Sequence, residues 1–254
     1  MNHSHTTINP TFTMPSNLQS ISLFKPNVIQ FESLDILFKN MISHLSERVL
    51  EISGDYGTVR LALSGQSGLL DVYKLMSQNY IFPFDQTELF QLEDDINNTF
   101  KKKMINCLGD QLELVSYANW IKPKNNLELT ANNYAQDLSI FDEDESFDIC
   151  LVEIDNQGNI AGLVANGKGL DITESEVVCN KSKKFNKLLG DWQVQSLVSV
   201  SMGMILQSKE IVCIMKDETE AMDELLSGNK TELQFPAKAL LNHSNVTIFY
   251  YLDI

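Results

Sequence analysis

The sequence predicts an α/β protein whose mainly parallel sheet is covered by helices on both faces. Three observations carry that expectation. Short β-branched and apolar runs alternate with stretches of helical spacing from residue 27 onward, the alternation persists to the C-terminal end, and no internal repeat or Pro/Gly-rich linker interrupts it. With 254 residues and 43% apolar content the chain can bury a sizeable core. One domain over residues 27–254 is therefore expected. Residues 1–26, rich in Ser, Thr, Asn and Pro without periodicity, read as a disordered tail.

The elements follow in order. Asn27 to Phe31 reads as a short strand, and Ser33 to Ile52 as a long helix with Leu34, Leu37, Met41, Leu45 and Val49 at helical spacing. Thr58 to Leu63 is the next strand, and SGQSG leads into a helix over Leu69 to Ser77. Tyr80 to Phe84 reads as a third strand, and Asp94 to Cys107 as a helix after an acidic turn. LELVSY is a plausible strand, Asn132 to Leu138 is helix-like, and the acidic loop FDEDESFD precedes a strong buried strand at Ile149 to Ile154. Ser196 to Leu206 carries β-branched alternation, with Met202 and Met204 as core fillers. Glu210 to Met215 is a strand, and Glu218 to Leu226 is a helix stopped by Gly228. Ala237 to Leu241 is a short helix, and Asn245 to Leu252 is the last strand. The predicted arrangement is an open, Rossmann-like α/β sheet.

Charge narrows the function classes. Lys and Arg number 19 against 34 Asp and Glu, a formal net charge of −15, and only Arg48 and Arg60 are arginines. That field repels nucleic-acid backbones and anionic membrane surfaces, so neither is an expected partner. Small anions face the same repulsion unless lysines or backbone N–H groups are locally concentrated. No apolar run reaches the length of a membrane span, and a cytoplasmic location is expected. Cys107, Cys150, Cys179 and Cys213 are widely spaced, so neither a disulfide framework nor a zinc site is expected. His3 beside a free amino terminus could chelate Cu(II) or Ni(II), but a chance histidine in a tail is by far the plainer reading. No cofactor is implied, and the oligomeric state is open.

In an open α/β sheet, ligands bind at the carboxyl ends of the strands. Three turns are candidates. Ser64, Gly65, Gln66 and Ser67 follow a strand and open a helix, so free N–H groups and two hydroxyls could hold phosphate; a tight packing turn is the plain alternative. Asp85 reads as lying just past a strand end, where a carboxylate is a base or merely a turn cap. The third turn, in LVEIDNQGNIAGLVANG, is lined with the amides of Asn156, Gln157 and Asn159, none of which titrates near neutral pH. His44 and His243 read as surface residues, away from these turns.

Taken in order, these segments resemble the family of 6-phosphogluconolactonase and glucosamine-6-phosphate deaminase, over residues 27–254. The lactonase pattern Leu-Ser-Gly-Gly-Ser-Thr-Pro is answered by LALSGQSGLL, and Phe-x-Asp-Glu-Arg by FPFDQTE. A polar turn ending Ser-Asn is answered by DDINNTF, and Gly-x-Asp-Gly-His-Thr-Ala-Ser by EIDNQGNIAGL. The closing elements correspond to VSVSMGMILQSKEIVCIM, ETEAMDELLSG and FPAKALLNHSNVTIFYYLD.

The resemblance implies a phosphate turn at Ser64, Gly65, Gln66 and Ser67, the acid of the Asp-Glu pair at Asp85, and substrate contacts at Asn98 and Gly158. It also implies departures. Gln86 replaces a glutamate, Gln157 an aspartate, and Asn159 the histidine that the lactonases use as base; Glu218 or Thr219 stands at a phosphate-binding lysine. The implied function is sugar-phosphate lactone hydrolysis or binding, weakened at Asn159, with a small-molecule partner. A catalytically silent binding protein and a deaminase-like enzyme are the alternatives.

Overall fold

The computed structural model describes residues 24–78, 82–140, 146–173, 176–186, 191–216 and 219–252. In chain order the elements are β1 (Asn27–Phe31), α1 (Leu34–Tyr56), β2 (Val59–Leu63), α2 (Leu70–Gln78), β3 (Thr87–Gln91), β4 (Glu93–Asp95), α3 (Thr99–Leu108), β5 (Tyr117–Asn119), α4 (Leu127–Leu138), β6 (Ile149–Glu153), β7 (Val177–Asn186), β8 (Asp191–Val200), α5 (Met202–Leu206), β9 (Glu210–Lys216), α6 (Thr219–Ser227) and β10 (Val246–Tyr251).

Seven strands form one sheet in the order β1-β10-β9-β6-β2-β3-β5, and every pairing in it is parallel. The chain builds outward from β2 through β3 to β5, then returns to β6 on the other side of β2. The order therefore reverses between β2 and β6, which opens a crevice at their carboxyl ends.

Alternating side chains divide the core. Leu61, Leu63, Leu89, Leu151 and Phe249 pack against Leu37, Met41, Leu45 and Val49 of α1 and against α2 and α3. Ala62, Phe90, Cys150, Val152 and Tyr250 face the other way, onto α4, α5 and α6. Because both faces are buried, these strands read as continuous apolar runs. This is the predicted α/β class with helices on both faces.

Several elements differ from the expectation. The helix expected from Asn132 begins at Leu127, and the expected Ala237–Leu241 helix is a 3-10 turn over Pro236–Asn242. Four further differences bear on the strands and the site. The third strand is Thr87–Gln91, preceded by a 3-10 turn at Phe84–Gln86. Residues 80–81 of the expected strand lie outside the described residues, as do the Asp142–Glu145 run, Glu218 and most of the expected tail. Pro83 explains the shift: it has no N–H for a central ladder, whereas TELFQ supplies one at every residue. The expected helix from Asp94 begins only at Thr99, because Glu93–Asp95 is taken into β4. The expected strand LELVSY starts in a 3-10 turn that ends at Glu113 and continues as turn and bend, with β5 starting only at Tyr117. Ser196 to Leu206 is strand only to Val200, since Ser201 caps α5 by accepting from the Met204 N–H.

Strands β4, β8 and β7 make a second, antiparallel sheet, which alternation alone does not separate from the first. It packs its Val178, Val198 and Val200 into the α4 face of the core. Among the described residues no helix is long and apolar enough to cross a membrane.

His44 is not a free surface group. Its Nε2 lies 2.8 Å from Glu210 Oε1, and Arg48 Nε donates to Glu210 Oε2 at 2.6 Å. His243 likewise bonds inward, its Nε2 2.7 Å from the Ser208 carbonyl. The Glu210 side chain is only 2% exposed. Desolvation pushes its carboxyl up, but the bonds and charges of His44 and Arg48 outweigh this and hold it below its ordinary value of 4.5. Its stabilising contribution is then present above that value and lost as pH falls through the folded-state pKa. Glu210→Ala is expected to cost about 1–3 kcal/mol in urea denaturation at neutral pH. Glu210→Gln is expected to flatten the loss of stability seen on acidification below pH 4.5.

Candidate functional site at the carboxyl edge of the sheet

Three strand ends meet at the crevice. After β2, Ser64 and Gly65 turn sharply; after β3, the chain enters β4 through Glu93; at the end of β6, Glu153 precedes the amide-lined turn. Glu93 spans the first gap. Ser64 Oγ donates to Glu93 Oε1 at 2.7 Å, and the Gly65 N–H donates to the same oxygen at 2.8 Å. Glu153 spans the second, accepting from the Gly68 N–H at 2.7 Å. A Cβ on Gly68 would stand 2.4 Å from Glu153 Oε1, so a side chain there would push the carboxylate aside. The turn expected to offer free donors to phosphate thus has two of its N–H groups bonded to the protein's own carboxylates.

The same device recurs along this edge. Asp94 accepts from the Phe100 and Lys101 N–H groups at 3.0 and 3.2 Å, and Asp95 from those of Asn97 and Thr99, both at 2.9 Å. These bonds serve the first-turn donors of α3, which otherwise have no partner in the helix. Asp155 accepts from the Gln157 and Asn159 N–H groups at 2.9 Å each.

Glu93 is fully buried and its Oε2 has no hydrogen-bond partner among the described residues. Desolvation pushes its carboxyl up to about 8, against the opposing bonds from Ser64 and Gly65, with Asp94 and Glu153 adding to the rise. It is therefore mainly neutral at pH 7. Tyr73 donates to the Ser64 carbonyl, and burial, followed by the charges of Glu93 and Glu153, pushes its phenol well above the ordinary range.

The expected site residues divide into two groups. Ser64, Gly65, Gln66 and Ser67 lie at the carboxyl edge, as do Gly158 and Asn159. Asn98 caps α3 in the left-handed region at φ 57°, with its Oδ1 buried and without a partner among the described residues. Gly158 also needs positive φ, 72°, and a Cβ there would meet the Phe235 ring at 2.5 Å. Asn159 is buried and fixed at both ends of its amide: Nδ2 donates to Asp155 Oδ2 at 2.9 Å, and Oδ1 accepts from the Ala165 N–H at 3.2 Å.

Asp85 is not part of this group. It is exposed in the 3-10 turn before β3, where Thr87 pairs with Val59 at the amino edge. Five residues of strand separate the two edges by roughly 13 Å. The acidic pair that follows the third strand is Glu93 and Asp94. Thr219 opens α6, and its Oγ1 is 3.3 Å from the Tyr250 hydroxyl.

An open hollow of about 630 Å³ lies beside Asn159. The turn contributes Gln157, Asn159 and Ala165 to it, and the β7–β8 hairpin contributes Lys181, Ser182 and Val194. Two anchors hold these walls together. Asn180 Oδ1 accepts from the Lys168 N–H at 2.8 Å, and Ser199 Oγ donates to the Ala161 carbonyl. A Cβ on Gly162 would stand 3.2 Å from that of Glu93, so the amide-lined turn also abuts the buried carboxyl.

Glu93, Glu153 and Lys181 were not apparent as site residues from the sequence. The signals were present: an acidic triplet directly after TELFQL, a lone acid closing the apolar run ICLVE, and four lysines between Lys181 and Lys187.

The fold defines a class: the architecture is that shared by 6-phosphogluconolactonases and glucosamine-6-phosphate deaminases. A 6-phosphogluconolactonase from Shewanella baltica superposes with a TM-score of 0.72 at 15% identity, covering 90% of this chain and 97% of that one. The enzyme from Trypanosoma brucei gives 0.71 at 14% identity, covering 91% and 97%. A monomeric glucosamine-6-phosphate deaminase gives 0.68 at 20% identity, covering 89% and 98%. In sequence, the chain is 26% identical to a glucosamine-6-phosphate deaminase from Malacoplasma penetrans, over 75% of this chain and 85% of the relative. No protein-family model matches.

The raised Glu93 carboxyl has a stability consequence. Between the ordinary value of 4.5 and about 8 the native state holds a proton that the unfolded chain has released, so stability falls as pH rises through that window. Glu93→Gln keeps an oxygen acceptor for Ser64 and Gly65 and removes the titration. Its unfolding free energy is expected to depend less on pH than wild type between pH 5 and 8, and to exceed wild type at pH 9.

Proposed function

We propose that the protein binds a sugar phosphate or closely related hydroxylated anion at the carboxyl edge of its sheet, as a divergent form of 6-phosphogluconolactonase with weakened lactone hydrolysis. Asn159 carries this reading. It stands where the resemblance asks for the histidine base, and both ends of its amide are engaged. An amide neither takes nor gives a proton near neutral pH, so it cannot activate water against a lactone carbonyl. Loss of a general base typically costs about 10² to 10⁴ in rate. The lactonase architecture of the neighbours supports the substrate class.

One observation favours a second reading, a deaminase-type reaction on an amino-sugar phosphate. Such a reaction moves a proton between neighbouring carbons and needs a group that titrates near working pH. Glu93, buried beside the crevice with its carboxyl at about 8, has that property. By its position after the third strand it, not Asp85, corresponds to the acid of the family's Asp-Glu pair. The deaminase relative supports this reading.

Lactone opening, followed by proton release in weak buffer, is expected to exceed the spontaneous rate only slightly, with Asn159→His alone restoring nothing because Glu93 and Glu153 still occupy the turn. A kcat in the usual enzyme range, on the order of 1 to 10³ s⁻¹, would refute weakened hydrolysis. Ammonia release from glucosamine 6-phosphate that disappears in Glu93→Gln would establish the second reading over the first.

A further inference from the structure

If the cleft holds an anionic ligand, its counter-charge must come from somewhere other than the Ser64–Ser67 turn. The Gly65 and Gly68 N–H groups are bonded to Glu93 and Glu153. A phosphate entering there would have to displace two acidic side chains and would meet the negative charge of at least one of them.

The hollow beside Asn159, which the Ser64–Ser67 turn does not line, has the complementary chemistry on its hairpin side. Lys181 is exposed on β7 and lines the cavity, and it makes no ion pair among the described residues. Beside it, Ser182 is half-buried with no hydroxyl bond among those residues. Facing both is Gln157, whose Oε1 is 3.4 Å from Asn159 Nδ2, so its own Nε2 is left to donate. In sequence, KSKKFNK, Lys181 to Lys187, has four lysines and no acid in a chain of net charge −15. A hollow of about 630 Å³ is within the size range of sites for small metabolites.

We propose that Lys181, with the Ser182 hydroxyl and the Gln157 amide, holds the anionic group of a small hydroxylated ligand, a sugar phosphate or a sugar acid. The anion site therefore lies on the hairpin wall and not in the glycine turn. This rests on the reading that the cleft binds such a ligand, but it does not depend on turnover. The ammonium supplies the charge, the serine and glutamine supply directed donors, and Val194, an exposed apolar neighbour, gives a carbon-rich face of the ligand a surface to lie on.

Calorimetric titration of the full chain with glucose 6-phosphate, which carries only a phosphate, and with gluconate, which carries only a carboxylate, tests the assignment. At least one is expected to bind wild type, with an affinity that falls as salt is raised. Lys181→Met is expected to weaken that ligand by about 10- to 100-fold, the usual worth of a hydrogen bond to a charged group. Lys181→Arg should retain most of the affinity. Lys39→Met removes the same unit of charge from α1, where Lys39 pairs with Asp35, and should leave binding unchanged. Binding to wild type that survives Lys181→Met intact, or that falls equally in Lys39→Met, overturns this inference and leaves the binding reading standing. No binding of either ligand to wild type overturns both.

Discussion

Backbone N–H groups at the carboxyl edge of the sheet are bonded to the protein's own buried or half-buried carboxylates, and the character of the site follows from that. Turns that start helices concentrate unpaired donors and the positive end of the helix dipole, so they attract negative charge. Here Glu93 and Glu153 serve the turn after β2, Asp94 and Asp95 serve the start of α3, and Asp155 serves the turn after β6. Each acid is supplied from within a few residues of a strand end. Part of the chain's acidic excess is thus internal structure and not merely a solvated surface. Full or partial burial of Asp94, Asp95 and Asp155 is tolerable because each is bonded to several donors, whereas burial of Glu93 pushes its carboxyl up toward the neutral form.

That arrangement separates fold from chemistry. The backbone of the amide-lined turn keeps the special conformations that a strand-end site uses, with Gly158 at φ 72° and Ala161 at φ 44°. Its amides carry no proton-transfer group, and Asn159 is held as a cross-link between the Asp155 carboxylate and Ala165. The carboxyl that burial raises near the crevice belongs instead to Glu93, on β4 of the second sheet. A shared architecture among lactonases and a deaminase is compatible with this, since the sheet supplies the strand ends while the residues standing on them set the reaction.

The second sheet gives the crevice its outer wall. With β7 and β8 in place, a hollow with Lys181 and Ser182 on one side and Gln157 and Asn159 on the other lies at the amide-lined turn. Asn180 and Ser199 tie the hairpin to the turn through bonds to Lys168 and Ala161, so the two walls are set by the same contacts that close the core.

Alternation of apolar strands and amphipathic helices was enough to predict the α/β class, most element positions and two of the three strand-end turns. Those features depend on local periodicity, which the chain displays directly: Leu61 and Leu63 on one face with Ala62 on the other, or Leu37, Met41 and Leu45 along one helix stripe. Asp85 shows where such reading stops. A run of apolar residues around Pro83 suggested a strand, and only the ladder between Val59 and Thr87 shows that the strand begins later, so that Asp85 belongs to the amino edge and Glu93 to the carboxyl edge. Tertiary structure alone decided that Glu93 and Glu153 close the glycine turn, that Glu93 is neutral, and that Lys181 faces Asn159. Those are contacts between residues far apart in the chain, brought together by sheet order and given their protonation by burial, and neither quantity is written in local sequence.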